Sequence, residues 1–328
     1  MAEQYTTEQG TFTTPDNHSL YTKTWRPSST PKARLIFIHG FSDHINFQGP
    51  LFPTLASAGI ITYAFDQRGW GRSVHTPAEK GKSGGTEQVL KDINDFILQT
   101  LEASDAKAEE KGLPVFLMGH SMGGQQTLLF LSQGPSSTLS KIRGFLVEAP
   151  FVALHPKAKP WRITVILGRL AQKVLPHMHM VQKLDPKTVT RDDAVAEQIE
   201  ADDLCHNTGT LEGLAGMLDR AEALETGKAV IKDGVGEGGK TRLWVGMGTS
   251  DQICDFNGVK ELYERTKVED KHLQVYEGWY HKLHLEPGKD KDVFCQDVVK
   301  WVLDRSEREG GGEREGAEVG VTADRAKL

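Results

Sequence analysis

The chain has 328 residues, 38% hydrophobic and 26% charged, enough for one large α/β domain carrying an inserted subdomain. A formal net charge of −6 and a pI near 6.1 leave no basic excess to neutralise a phosphate backbone, which argues against nucleic acid as a partner and for small-molecule chemistry. Cys205, Cys254 and Cys295 are odd in number and far apart, which argues against a disulfide framework and for a reducing compartment; residues 1–10 read as no secretory leader, and no apolar run reaches the ~18 residues of a membrane span.

In chain order, Thr11 to Trp25 alternates loosely about a turn at Pro15-Asp16-Asn17 and predicts an edge hairpin. Four apolar runs follow, Leu35–Ile38, Ile60–Phe65, Val115–Met118 and Phe145–Val147, separated by helical stretches near Pro50–Ala58, Glu87–Ala106 and Gln125–Ser132. Strands alternating with helices predict a parallel sheet. After Ala149-Pro150 the rhythm breaks. Residues 160–175 set Ile163, Ile166, Leu167, Leu170 and Val174 among Arg162, Arg169 and Lys173, which predicts a cap, so that an insertion over 151–240 divides a core of 1–150 and 241–305. The sheet resumes with Leu243–Met247 and Leu273–Tyr276, each followed by a helix, the last ending near Arg305. Ser306–Ala323 has too few apolar residues to offset its ordering entropy, so 306–328 reads as a disordered tail.

Gly119-His120-Ser121-Met122-Gly123 lies where the strand ending at Met118 turns into a helix beginning near Gly123. That strand, turn and helix order is the context of a nucleophile elbow: flanking glycines let the backbone turn sharply and leave the serine hydroxyl exposed at the strand's carboxyl end. A serine needs a base and an orienting carboxylate, which on such a sheet follow it in the order Ser, Asp, His. Asp251 comes just after Leu243–Met247, and His281 just after the next strand, so both loops reach the sheet edge where open α/β sheets gather their sites. Asp255 is a rival acid but falls where a helix begins and reads as an N-cap; His284 is a rival base three residues further from its strand. His272 and His206 read as surface or packing histidines. The backbone N–H of Met122 faces the site from the elbow, and the N–H of Phe41, after the strand ending at Ile38-His39-Gly40, supplies a second oxyanion donor.

Together, His39-Gly40-Phe41, Phe65-Asp66-Gln67-Arg68-Gly69, Gly119 to Gly124, Thr249-Ser250-Asp251 and Tyr280-His281-Lys282-Leu283-His284 resemble the monoacylglycerol lipases of the α/β-hydrolase superfamily, over about Thr11 to Leu303 and including Val174-Leu175-Pro176. The resemblance implies an α/β-hydrolase fold, with a central, mostly parallel eight-stranded sheet, helices on both faces and an inserted helical cap. It implies hydrolysis of monoglycerides to fatty acid and glycerol through an acyl-enzyme on Ser121, Asp251 and His281, with Phe41 and Met122 as oxyanion donors and no metal or organic cofactor. It sets His284 against the glycerol head group and Cys254 beside the active site. Asp43 stands where animal members carry glutamate, Phe47 where they carry arginine, and Ile199 or its neighbour where a tyrosine is expected near the glycerol. A carboxylesterase, lysophospholipase or acyltransferase on the same triad, and a silent lipid-binding hydrolase fold, are the alternatives.

Burying an acyl chain is worth about 0.8 kcal/mol per methylene, so the aliphatics of 160–175, Ile163, Ile166, Leu167, Leu170 and Val174, are the expected acyl lining. The same stretch reads either as a buried cap helix or as a transient membrane or lipid-droplet contact, with Lys157, Lys159, Arg162 and Arg169 near lipid phosphates. Gly234 to Thr241 matches the phosphate-binding G-x-x-x-x-G-K-T pattern, but it leads into a strand where that motif needs a helix, so it reads as a surface loop. His177 and His179 lack a third metal ligand nearby. Ala326-Lys327-Leu328 resembles a peroxisomal address, so the chain is expected in the cytoplasm, peripheral on a membrane or droplet, or imported into peroxisomes.

Overall fold

In the computed structural model, which describes residues 5–158 and 168–307, the hairpin is longer than its alternation suggests. Strands β1 (Tyr5–Thr13) and β2 (Ser19–Pro27) pair antiparallel around a turn with Asn17 at φ 62°, a left-handed conformation that asparagine tolerates. Downstream come β3 (Ala33–Ile38), β4 (Ile60–Phe65), β5 (Val115–His120) and β6 (Gly144–Glu148), then a separate antiparallel pair, β7 (His179–Val181) with β8 (Thr208–Thr210), and finally β9 (Arg242–Gly248) and β10 (Asp270–Tyr276). The main sheet has eight strands in the order β1-β2-β4-β3-β5-β6-β9-β10 and is parallel from β4 onward, as expected.

Helices cover both faces, which is why the inner strands are unbroken apolar runs rather than alternating ones. Leu35 and Phe37 of β3 point to one face, packing with Phe116, Leu146 and Trp244 beneath α1 (Leu51–Ser57) and the last helix. Ile36 and Ile38 point to the other, where Leu117, Val147 and Val245 meet α2 (Thr86–Asp105) and α3 (Met122–Gln133). A short α4 (Ser136–Leu139) precedes β6. Burying each such side chain contributes roughly 1.5–3 kcal/mol, so the register of the central strands is held from both sides.

Between β6 and β9 the chain leaves the sheet. It passes through β7, α5 (Asp193–Ala201) and β8, then returns in α6 (Leu211–Glu225), whose Ala221 and Leu224 join the core against α3. The carbonyl of Val189 accepts from the backbone N–H groups of His281 and Lys282, fastening this insertion to the strand ends. After β9 come α7 (Phe256–Arg265) and, after β10, α8 (Asp290–Asp304). The Gly234–Thr241 segment forms a turn that leads into β9, not into a helix. Ile163, Ile166 and Leu167, the tail beyond Glu307 and Ala326-Lys327-Leu328 lie outside the described residues. Among the described residues no helix is long and apolar enough to cross a membrane.

Candidate active site

The turn from β5 into α3 concentrates strain on one residue. Ser121 sits at φ 54°, ψ −116°, and such a conformation costs a non-glycine residue of order 1–3 kcal/mol. Three backbone hydrogen bonds hold it there: Ser121 N donates to Glu148 O at 2.9 Å, and Ser121 O accepts from Gln125 N at 2.9 Å and Phe151 N at 3.0 Å. The flanking glycines are needed for closeness. A Cβ on Gly119 would lie 2.2 Å from the Gly123 carbonyl oxygen, and one on Gly123 would lie 2.1 Å from that of Ile38.

His281 and Asp251 reach this serine from the loops after β10 and β9. His281 Nε2 lies 2.8 Å from Ser121 Oγ, and Nδ1 lies 2.7 Å from Asp251 Oδ2. Asp251 Oδ1 accepts from the N–H groups of Ile253 (2.8 Å) and Cys254 (2.9 Å), so the carboxylate is anchored before it touches the imidazole. With Asp251 accepting from Nδ1–H, Nε2 is left free to take the serine proton. All three side chains are buried. Asp255 accepts from Asn257 N and caps α7, as its position predicts. His206 stacks on Trp70, and His272 is exposed beside Gln274. Burial, then the Asp251 charge, pushes the Cys254 thiol well above its ordinary pKa, so it stays protonated.

Among the described residues two clusters have metal-ligand geometry. Asp251, Cys254 and His281 form one, but the carboxylate and imidazole are engaged in the bonds just described. His44, Asp202 and Cys205 form the other, where His44 Nε2 is bonded to Asp202 Oδ2 at 2.8 Å.

The loop after β3 runs directly against the elbow: a Cβ on Gly40 would lie 3.2 Å from Ser121 Cβ. Beyond it, no described residue accepts from the Phe41 N–H, and the Met122 N–H, at the first position of α3, has no acceptor within its helix. His39 braces this loop. Its Nε2 accepts from Gln67 N at 2.9 Å, its Nδ1 lies 2.8 Å from Gly40 O, and Gln67 Nε2 donates to His39 O at 2.7 Å. That pattern requires the neutral ring, and burial lowers its pKa to about 4.

Two cavities meet at Ser121 and Phe41. The smaller, about 190 Å³, is lined by Ser42, Asp43, Asn207, His281 and Lys282, with Phe47 and Ile199 on its wall. There Lys282 Nζ lies 2.9 Å from Asp43 Oδ1 and 3.0 Å from Phe47 O. Burial alone would raise the Asp43 pKa, but Lys282, together with the nearby rings of His120 and His39, outweighs it and the carboxyl is held well below its ordinary range. The larger, about 1020 Å³, runs past Met122, Phe151, Leu154, Leu214, Met217 and Phe256.

Not every expected substrate contact is where the resemblance sets it. Asp43 lines the smaller cavity, but His284 lines neither: the turn over Leu283–Leu285 carries it inward, fully buried, with Nδ1 at 2.8 and 2.7 Å from the two Glu148 carboxylate oxygens. Leu170 and Val174 are exposed and line neither cavity. Lys282 had no role in the sequence reading; the available signal was a cation set between two histidines of a loop leading to a buried turn.

Residues 29–288 match the Hydrolase_4 family, described as serine aminopeptidase, S33. A Schizosaccharomyces pombe protein named as a candidate monoglyceride lipase is 33% identical over 291 residues, 88% of this chain and 72% of that protein. Homo sapiens monoglyceride lipase is 28% identical over 298 residues, 90% of each chain. The crystal structure of a soluble variant of Saccharomyces cerevisiae monoglyceride lipase with a substrate analogue is similar at a TM-score of 0.79 and 25% identity, covering 93% of this chain and 96% of that one.

Proposed function

This chain belongs to the monoglyceride lipase family of the α/β-hydrolases, and on that premise we propose that it cleaves monoacylglycerols to free fatty acid and glycerol through an acyl-enzyme on Ser121. The observation that carries the reading is the meeting of two unlike cavities at one serine. An ester has an acyl side and an alcohol side. The larger groove, with Phe151, Leu154, Leu214, Met217 and Phe256 on its wall, has the length and apolar contacts for the first, because each buried methylene contributes about 0.8 kcal/mol. The smaller chamber, where Asp43, Asn207 and Lys282 offer polar groups, has the size for a hydroxylated leaving group.

In this mechanism His281 Nε2 takes the Ser121 proton as Oγ attacks the ester carbonyl, and the N–H groups of Phe41 and Met122 stabilise the oxyanion. Asp251 keeps the imidazole in the working tautomer and balances its charge. His281 then protonates the leaving glycerol oxygen, and water, activated by the same imidazole, releases the acid and restores Ser121.

Glycerol release from long-chain 1- and 2-monoacylglycerols, beside p-nitrophenyl esters of matched length, tests the reading with Ser121→Ala as control. Fast turnover of the long monoglycerides that vanishes in Ser121→Ala supports it. Activity confined to short esters demotes the enzyme to a carboxylesterase, and failure of Ser121 to react with a fluorophosphonate revives the silent lipid-binding alternative.

A transient membrane contact fits the same role. Leu170, Val174, Leu175 and Val181 are 56%, 79%, 52% and 68% exposed within a short stretch of the insertion. Isolated exposed aliphatics are ordinary, but four in the stretch 170–181, whose chain neighbours Arg169 and Met180 line the larger cavity, support a docking face. Flotation with vesicles should fall in Val174→Asp/Leu175→Asp, and unchanged flotation refutes the contact. The terminal Ala326-Lys327-Leu328 carries the separate proposal of peroxisomal import, tested by the distribution of fluorescent fusions with and without those three residues.

A further inference from the structure

The smaller cavity is lined by two ammonium groups and two carboxylates, and they are already matched. Lys282 Nζ lies 2.9 Å from Asp43 Oδ1, with both side chains more than nine-tenths buried, and nearer solvent Lys183 Nζ lies 2.7 Å from Glu200 Oε1. The Asp43 carboxylate also accepts from His44 N at 2.8 Å and from Gln48 Nε2 at 3.2 Å. His120 Nδ1 is 3.8 Å away, too far for a hydrogen bond, and burial lowers the ring's pKa to about 4, so it adds no charge near pH 7.

We propose that the Asp43–Lys282 pair is a head-group filter that admits neutral vicinal hydroxyls and rejects an anionic glycerol phosphate. The inference rests on the lipase reading and deepens it. An ammonium has three N–H donors; Asp43 and the Phe47 carbonyl take two from Lys282, which leaves one for a substrate hydroxyl. A second hydroxyl donates to the carboxylate, so a diol fits without breaking the pair. A phosphate needs the ammonium itself. Taking it would strip a buried carboxylate of its counter-ion and set two anions side by side, which the burial of the pair penalises heavily. The buried cation of this chamber, Lys282, comes from the loop after β10. It lies 5.2 Å from the Phe47 ring centroid, which gives the ammonium a second apolar-side support.

The experiment compares kcat/KM for 1-oleoylglycerol, 1-oleoylglycerol 3-phosphate and methyl oleate in one detergent, using the full chain, Asp43→Asn and Asp43→Asn/Lys282→Met. The native chain should prefer the neutral glyceride by about 100-fold over the phosphate, and Asp43→Asn, which frees Lys282 to meet an anion, should narrow that ratio by at least about tenfold. The double variant should lose the gained phosphate activity. A gain of activity cannot arise from misfolding, and methyl oleate normalises for the amount of competent enzyme. Native cleavage of both glycerides at similar rates, or an unchanged ratio in Asp43→Asn, overturns the filter and leaves the lipase reading standing. Cleavage of methyl oleate without cleavage of 1-oleoylglycerol overturns the lipase reading and the filter with it.

Discussion

His284 and Glu148 face each other beneath Ser121 with no solvent on either side, the imidazole Nδ1 lying 2.8 and 2.7 Å from the two carboxylate oxygens. Burial would raise the Glu148 pKa, but His284 and then His120 outweigh it and hold the carboxyl below its ordinary value. The same Glu148 offers its carbonyl to Ser121 N, so the pair sits under the elbow. Removing the imidazole would leave a buried carboxylate without its partner. His284→Ala should lose about 3–5 kcal/mol of stability in urea unfolding. A residue that merely touched glycerol would instead raise KM and leave the unfolding midpoint where it was.

The strain on Ser121 gives a second prediction, opposite in sign. Serine at φ 54° is held against its preference, and glycine has none to overcome. Ser121→Gly and Ser121→Ala both delete the hydroxyl and its bond to His281, so both should lower kcat by about 10⁶-fold. They should differ in stability. The glycine variant is expected to melt about 1.5–3 °C above the alanine variant, since about 1–2 kcal/mol of backbone strain is released. Equal melting temperatures would mean that the turn stores no strain.

Asp251 and Asp255 should separate catalysis from capping within five residues. Asp251→Asn keeps the size of the side chain but disturbs the imidazole tautomer, and should lower kcat by about 10⁴-fold with the melting temperature nearly unchanged. Asp255→Ala removes only the bond to Asn257 N and should cost about 1 kcal/mol of stability, with kcat/KM within about twofold of native. The reverse pattern would make Asp255 the orienting acid.

What could be read before folding was what repeats locally. The elbow was legible because Gly119, Ser121 and Gly123 sit between an apolar strand and an apolar helix, and Asp251 and His281 because each follows a strand end in the expected order. The Lys282–Asp43 pair was not, since its members are 239 residues apart and charge pairing between loops leaves no periodicity. His284 misled for a related reason: the spacing Tyr-His-x-x-His gives its distance along the chain, while the turn over Leu283–Leu285 decides which way it points. Reading 151–240 as one insertion likewise could not separate α6. Along its helix Leu214, Met217, Leu218, Ala221 and Leu224 recur three and four apart as one apolar stripe, which lines the groove at its first turns and joins the core at its last.

Stability should fall on mild acidification. His39, His120 and His206 have folded pKa values lowered to about 4, chiefly by burial, from an ordinary 6.5. Above 6.5 neither state is protonated at these rings. As pH falls from 6.5 toward 4 the unfolded chain binds protons that the folded one refuses, so stability is progressively lost across that window. Asp66 works the other way: burial raises it to about 6 from 3.8, so its contribution to stability grows as pH falls through the same range. Three rings against one carboxyl leave a net loss. Melting temperatures at pH 7.5, 6 and 4.5 should decline in turn, more steeply in Asp66→Asn, and a flat profile would contradict the buried neutral histidines.

The larger cavity gives the prediction that bears most directly on substrate length. On α6, Leu214, Met217 and Leu218 are spaced three and four apart, so they form one apolar stripe along the groove. Met217→Trp should fill part of it. Displacing two or three methylenes of a bound chain, at about 0.8 kcal/mol each, corresponds to roughly a 10- to 60-fold loss in kcat/KM for oleoyl glycerol. A butyryl ester, too short to reach the substitution, should be cleaved at close to the native rate. The comparison matters because Met217 has a second connection: its carbonyl accepts from Gln125 Nε2 at 3.0 Å, and Gln125 N in turn donates to Ser121 O. An equal loss for both chain lengths would mean that the substitution acts on the elbow through Gln125, and the groove would lose its claim to the acyl chain.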